Sequence, residues 1–135
     1  MTKEELKKRT KLFAINTFKF VDTLPKSKSV DVVTYQILKS SSSVAANYRA
    51  VCRGKSGADF LNKLKIVDEE ADETLFWLQF INDLELTCNK NHLNGLIKEA
   101  DELVAIFSSS IRTIKSKNPK YSNSKSINDI RVQRI

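Results

Sequence analysis

The chain has 135 residues, a net charge of +7, 41% hydrophobic residues, three glycines and two prolines. That length suits one domain with a proper core, and so few breakers favour an all-helical chain over a turn-rich sandwich. No apolar run approaches the roughly 18 residues that span a bilayer. The charged start "MTKEELKKRTKLF" also lacks the apolar centre of a signal peptide, so we expect a cytoplasmic protein with no membrane partner.

The first helix is expected from about Thr2, where Thr2 and Glu5 have capping-box spacing. Leu6, Thr10, Phe13, Thr17, Phe20 and Leu24 then recur at steps of three and four, which is one helical face. Pro25 stops this helix, because it cannot donate and it pushes Leu24 out of the helical region. After "KSKS", Ser29 is the expected N-cap of a second helix, and Asp31 in its first turn suits the helix dipole. The inward stripe is Val30, Val33, Ile37, Val44, Tyr48 and Val51, with Ser40 or Ser41 filling the missing step. Gly54 and Gly57 bracket a short turn. A third helix is expected from Ala58 to Cys88, with Phe60, Leu64, Val67, Ala71, Leu75, Leu78 and Leu86 inward. Ile66, Phe76, Trp77, Phe80, Ile81 and Leu84 add apolar residues elsewhere around it, which fits either a deeply buried helix or a second interface. A fourth helix is expected from His92 to Lys117, with Leu93, Leu96, Ile97, Ala100, Leu103, Val104, Phe107, Ile111 and Ile114 inward. Asn118-Pro119 ends it. The remainder, 118–135, is polar and basic and is expected to be a flexible tail. Four amphipathic helices over residues 1–117 with short connections predict an all-α, up-down-up-down antiparallel four-helix bundle.

Charge is distributed unevenly. Residues 1–55 carry 12 Lys/Arg against 4 Asp/Glu, residues 56–103 carry 4 against 11, and residues 104–135 carry 7 against 1. A basic surplus of this kind can meet phosphate. Arg49 and Arg53 lie four apart on the second helix, and we expect them to pair with the acids Glu69, Glu70, Asp72 and Glu73 on the third. Cys52 and Cys88 would end successive helices, roughly 45 Å apart at about 1.5 Å per residue, too far for a disulfide. Two free thiols fit a reducing compartment.

Four consecutive serines, Ser40 to Ser43, lie inside the second helix. Each costs about half a kcal/mol in propensity against alanine, so small size at a close helix crossing is the expected reason. Asn47, one turn beyond Ser43, is expected to complete a polar contact between helices that fixes their register. A ligand site built on Ser43 and Asn47 is the other reading.

Catalytic constellations are absent. A di-metal bundle needs two Glu-x-x-His motifs and two further carboxylates, whereas His92 is the single histidine and Asn89 stands where its acid would be. Cys88 and His92 straddle a turn with no orienting third group. Arg49 occupies the first glycine position of a P-loop ending in Gly54-Lys55-Ser56. No enzyme, cofactor or metal is expected.

The order of residues resembles the bacterial four-helix-bundle family first noticed as reading frames within intervening sequences of 23S rRNA genes. The resemblance rests on Gln36-Ile37-Leu38-Lys39, on Ser43 to Asn47-Tyr48, on Gly54-Lys55-Ser56 with Asp59-Phe60, and on Glu70-Ala71-Asp72-Glu73-Thr74 before Trp77. It covers about residues 5 to 115. Ala50 departs from it, since many members carry a glutamate three residues after the asparagine. The resemblance implies a ring-shaped homo-oligomer, usually a pentamer, which would give Phe76, Trp77, Phe80 and Leu84 an oligomer interface. A related branch resembles the accessory protein of diversity-generating retroelements, which binds a reverse transcriptase and nucleic acid. The expected function is a non-catalytic oligomeric scaffold that binds RNA or DNA. The alternative is a ring that binds only protein. Candidate phosphate contacts are Lys8, Lys11, Lys19, Lys39, Arg49, Arg53 and Lys55, with Lys120, Lys125, Arg131 and Arg134 in the tail.

Overall fold

A computed structural model describes residues 1–54 and 57–117. Lys55, Ser56 and the basic tail at 118–135 lie outside the described residues. Four helices follow in order: α1 Lys3–Val21, α2 Lys28–Arg53, α3 Ala58–Asp83 and α4 Lys90–Lys117. They form an antiparallel four-helix bundle in which consecutive helices pack closely, and no strand occurs among the described residues. α1 packs closely against α2 and only lightly against α4, and it reaches the diagonal α3 at its start, where the Lys3 ammonium lies 5.4 Å from the Phe60 ring centroid.

α1 begins as its sequence dictates. The Thr2 hydroxyl accepts from the Glu5 amide at 3.1 Å, and the Glu5 carboxylate accepts from the Thr2 amide at 3.1 Å. The whole expected stripe of α1, from Leu6 to Phe20 and on to Leu24, is buried. The regular helix stops at Val21, and single tight turns at Thr23 and Leu24 carry the chain to Pro25.

α2 starts earlier than expected, because Ser27 rather than Ser29 is its cap. Ser27 is extended, and its hydroxyl accepts from the amide of Val30 at 3.2 Å. A cap bonds the N–H two or three residues on, so Ser27 fixes the first core residue, whereas a cap at Ser29 would leave Val30 in an unanchored first position. The expected α2 stripe is buried, and both Ser40 and Ser41 fill its missing step with no exposed surface.

α3 departs most from expectation. Its buried residues are Leu61, Leu64, Val67, Ala71, Thr74, Leu78 and Ile81. Phe60, Leu75 and Leu86 pack against the core but are only partly buried. Two apolar stripes interleave on this helix, and the polar Thr74 disguises the one that faces inward. The helix also ends at Asp83, five residues before Cys88. Glu85 adopts a left-handed conformation with φ of 55°, which cannot continue a right-handed helix. Glycine normally marks such a stop, and glutamate gives no warning of it.

α4 starts at Lys90, two residues before His92. The Asn89 side chain accepts from the His92 amide at 3.0 Å, and the Asn89 carbonyl accepts from Leu93 at 3.0 Å. Its inward residues are Leu93, Leu96, Ala100, Leu103, Phe107 and Ile111, with Ile97, Val104 and Ile114 partly buried.

The core has an aromatic contact toward each end. Phe20 meets the edge of the His92 ring at 5.2 Å, and Tyr48 lies against Phe107 at 5.6 Å. Both cysteines are free.

Candidate interaction surfaces

The serine run divides its work between inside and outside. Ser40 and Ser41 are buried. Ser40 Oγ lies 2.8 Å from Thr74 Oγ1 of α3, and Thr74 Oγ1 also lies 2.8 Å from the Glu70 carbonyl oxygen of its own helix. This hydroxyl pair is the polar link across the α2/α3 crossing that the small serine permits. Ser42 bonds back to the carbonyls of Leu38 and Lys39 and is exposed. Asn47 spends its amide donors within α2, on the Ser43 carbonyl at 2.9 Å and the Ser43 hydroxyl at 2.8 Å.

The acids of α3 do not meet Arg49 and Arg53, which are exposed and form no ion pair among the described residues. The antiparallel register set by Ser40 and Thr74 carries both arginines past the acidic stretch toward Lys63, with which they line one small groove. Lys39 and the Ser43 hydroxyl face Glu70 instead. Burial, followed by the charge of Glu73, pushes the Glu70 carboxyl above the usual range, against the pull of Lys39 and Ser43. Asp68 is likewise raised by burial, against the Ser108 hydroxyl that donates to it at 3.1 Å. The cross-bundle ion pair that the sequence did not suggest joins α1 to α4. Arg9 Nε and Nη2 each donate to a separate Glu99 carboxylate oxygen at 2.7 Å. Only a bidentate fork of this type fixes both groups in one plane.

Two surfaces stand out once the core is closed. The first is the outer face of α3. Phe76 is 53% exposed, Phe80 39% and Leu84 38%, while Trp77 is half-buried against the core. The rings form one cluster, with centroids 4.9 Å apart for Phe76 and Trp77, 5.4 Å for Trp77 and Phe80, and 6.1 Å for Phe76 and Phe80. The three other helices leave much of this cluster bare.

The second is a groove of about 710 Å³ between α1 and α2. Lys7, Lys11, Ile15 and Phe18 form its α1 wall, and Ser42, Ala45, Ala46 and Arg49 form its α2 side. Lys19 and Asp22 stand at the far end of the α1 wall. Of the expected phosphate contacts, Lys11, Lys19 and Arg49 therefore converge on one groove. Lys8, Lys39 and Arg53 are exposed but do not line it.

Nothing among the described residues forms a cluster of three or more His, Cys, Asp or Glu suited to a metal ion. Cys88 packs against the core, and His92 is engaged by Phe20. No helix is long and apolar enough to cross a membrane.

The pattern that defines the 23S rRNA-intervening sequence proteins matches residues 2–109, nearly all of the four helices. The chain belongs to this family. A crystal structure of a protein of unknown function from the S23 ribosomal protein family of Bacteroides thetaiotaomicron is similar in fold, with a TM-score of 0.72 and 28% identity. The similarity covers 83% of this chain and 99% of that one. No protein of curated function matches the chain. The Ser43–Asn47 and Glu70–Thr74 stretches face each other across the α2/α3 crossing, where the Ser43 hydroxyl meets Glu70 and Ser40 meets Thr74.

Proposed function

We propose that the protein is a non-catalytic scaffold that assembles with copies of itself, as a ring, and presents a basic surface to a nucleic acid. One observation carries the self-assembly: the α3 cluster of Phe76, Phe80 and Leu84 stays exposed after the bundle has buried its own core. A contiguous apolar face of this kind marks an interaction site. The family resemblance supports a ring of about five copies. The nucleic-acid reading is supported by the +7 net charge and by exposed Lys8, Lys39 and Arg53 beside the groove residues Lys11, Lys19 and Arg49. The apolar walls of that groove favour the second reading, a ring that binds only protein, because phosphate does not need Ile15 and Phe18.

Light scattering of the purified protein tests assembly, and a mass of one chain, 15.4 kDa, would remove the ring. A filter-binding series with a random single-stranded RNA tests the second half. With about four phosphate contacts, affinity should fall on the order of 50-fold between 50 and 200 mM salt. No retention at low salt would leave the protein-only ring.

A further inference from the structure

The exposed face of α3 and the groove between α1 and α2 carry complementary patterns in the same order and at the same spacing. On α3, Glu69, Glu73, Phe76, Phe80 and Leu84 follow at steps of four, three, four and four, so they share one face. On α1, Lys7, Lys11, Phe18 and Asp22 repeat that spacing along the groove wall. Seven residues separate Glu73 from Phe80 and Lys11 from Phe18, about 10.5 Å in each helix. Fifteen residues separate Glu69 from Leu84 and Lys7 from Asp22, about 22 Å in each. The antiparallel run of α1 and α2 places Arg49 toward the Lys7 and Lys11 end, so three cations gather there, Ile15 and Phe18 follow along the wall, and the oppositely charged Lys19 and Asp22 close the far end. The groove floor is built of Ser42, Ala45 and Ala46, whose short side chains let another helix approach closely.

We propose that the α3 face of one copy seats in the α1/α2 groove of a second copy. Resting on the self-assembly reading above, this identifies the two surfaces that mate. Glu69 and Glu73 of one copy lie against Lys7, Lys11 and Arg49 of the other, and the Phe76–Phe80 cluster covers Ile15 and Phe18. The seated α3 runs parallel to the α1 it meets, which brings Leu84 opposite the groove end at Asp22. No α3 residue lines the groove, so the face and the groove are separate patches. The contact is therefore heterologous, the type that closes a ring when its rotation allows. It covers Lys11 and Arg49, and leaves Lys8, Lys39 and Arg53 for a polyanion.

Charge reversal tests the pairing. The groove variant is Lys11→Glu with Arg49→Glu, and the face variant is Glu69→Lys with Glu73→Lys. All four residues are exposed and outside every ion pair among the described residues, and a helical circular-dichroism spectrum with a cooperative melt confirms folding. At a concentration where the wild type is assembled, each variant should scatter as a single 15.4 kDa chain. The chain carrying all four reversals should regain the wild-type mass. A wild type that is itself monomeric sinks self-assembly, and the pairing with it. If the wild type assembles and either variant keeps its mass, or the fourfold variant fails to regain it, only the pairing is overturned. Undiminished assembly of the groove variant with loss of RNA retention would assign the groove to nucleic acid and overturn the pairing as well.

Discussion

Ser40 shows how one hydroxyl can be present for its size. It has no exposed surface, and its Oγ meets Thr74 across the crossing. Ser40→Ala should be close to neutral: the lost bond is offset by about 0.5 kcal/mol of better helix propensity, and Thr74 keeps the Glu70 carbonyl. Ser40→Leu should cost on the order of 1–3 kcal/mol or more by overpacking the interface. Urea denaturation of the two variants separates size from bonding, and a large loss in Ser40→Ala would show that the hydroxyl matters more than its volume. Asp68 makes a pH-dependent contribution of the opposite kind to a salt-bridged acid. Its folded-state carboxyl is raised by burial, so between the ordinary aspartate range and that raised value the folded chain holds more protons than the unfolded one. Stability therefore falls as pH rises through that window, and the cost is fully present above it. Asp68→Asn keeps an acceptor for Ser108 and should raise the melting temperature at pH 7. The gain should vanish below the ordinary aspartate range. A melting temperature lowered at pH 7 would contradict the burial argument.

At the scale of elements, the bundle is set by how its helices stop. α3 is closed by Glu85 in the left-handed region, a conformation that costs a non-glycine residue roughly 1–2 kcal/mol. Glu85→Gly should relieve it and stabilise the fold by about 0.4–1 kcal/mol after the entropy of glycine is subtracted. A chemical-denaturation midpoint that falls would show that Glu85 makes a compensating contact. The other connection at the start of α3 already uses glycine: Gly57 sits at φ 114° with open space around its Cα. There the backbone alone dictates the residue, because a side chain would meet no neighbour but would hold a strained conformation. The α2 start obeys the same logic in the other direction. Ser27 and Ser29 are equally good caps as residues, and only the bond to Val30 distinguishes them.

For the whole molecule, α1 and α4 are the two helices that meet most lightly, each packing mainly on its other neighbour, α2 or α3. The Arg9–Glu99 fork joins residues 90 apart in sequence and closes the bundle between its first and last helices. The two side chains remain 25% and 28% exposed, so water discounts the pair. Arg9→Ala should cost about 1–2 kcal/mol. Hydrogen exchange should rise in α1 before it rises in α3. Equal protection of α1 in Arg9→Ala and wild type would mean that the pair adds no closure. This matters for assembly, because α1 supplies one wall of the groove proposed to receive a neighbouring α3.

The sequence by itself determined the helical class, the inward faces of α1, α2 and α4, the capping box at Thr2, and the apolar surplus at Phe76, Phe80 and Leu84. Each is a local or periodic property, written every three or four residues by the requirement to hide one face from water. The family resemblance was also legible, and the family match over residues 2–109 agrees with it. On α3, Leu64, Val67, Ala71 and Leu78 were also legible, but tertiary structure alone decided that Leu61, Thr74 and Ile81 complete the buried face in place of Phe60, Leu75 and Leu86, since that depends on what the neighbouring helices offer Thr74. It also decided that Arg49 misses the acids at 69–73, because antiparallel register, rather than charge, sets which residues meet. The convergence of Lys11, Lys19 and Arg49 on one groove arose in the same way. These partners come from different helices, and no period within a single helix can encode a distance between two.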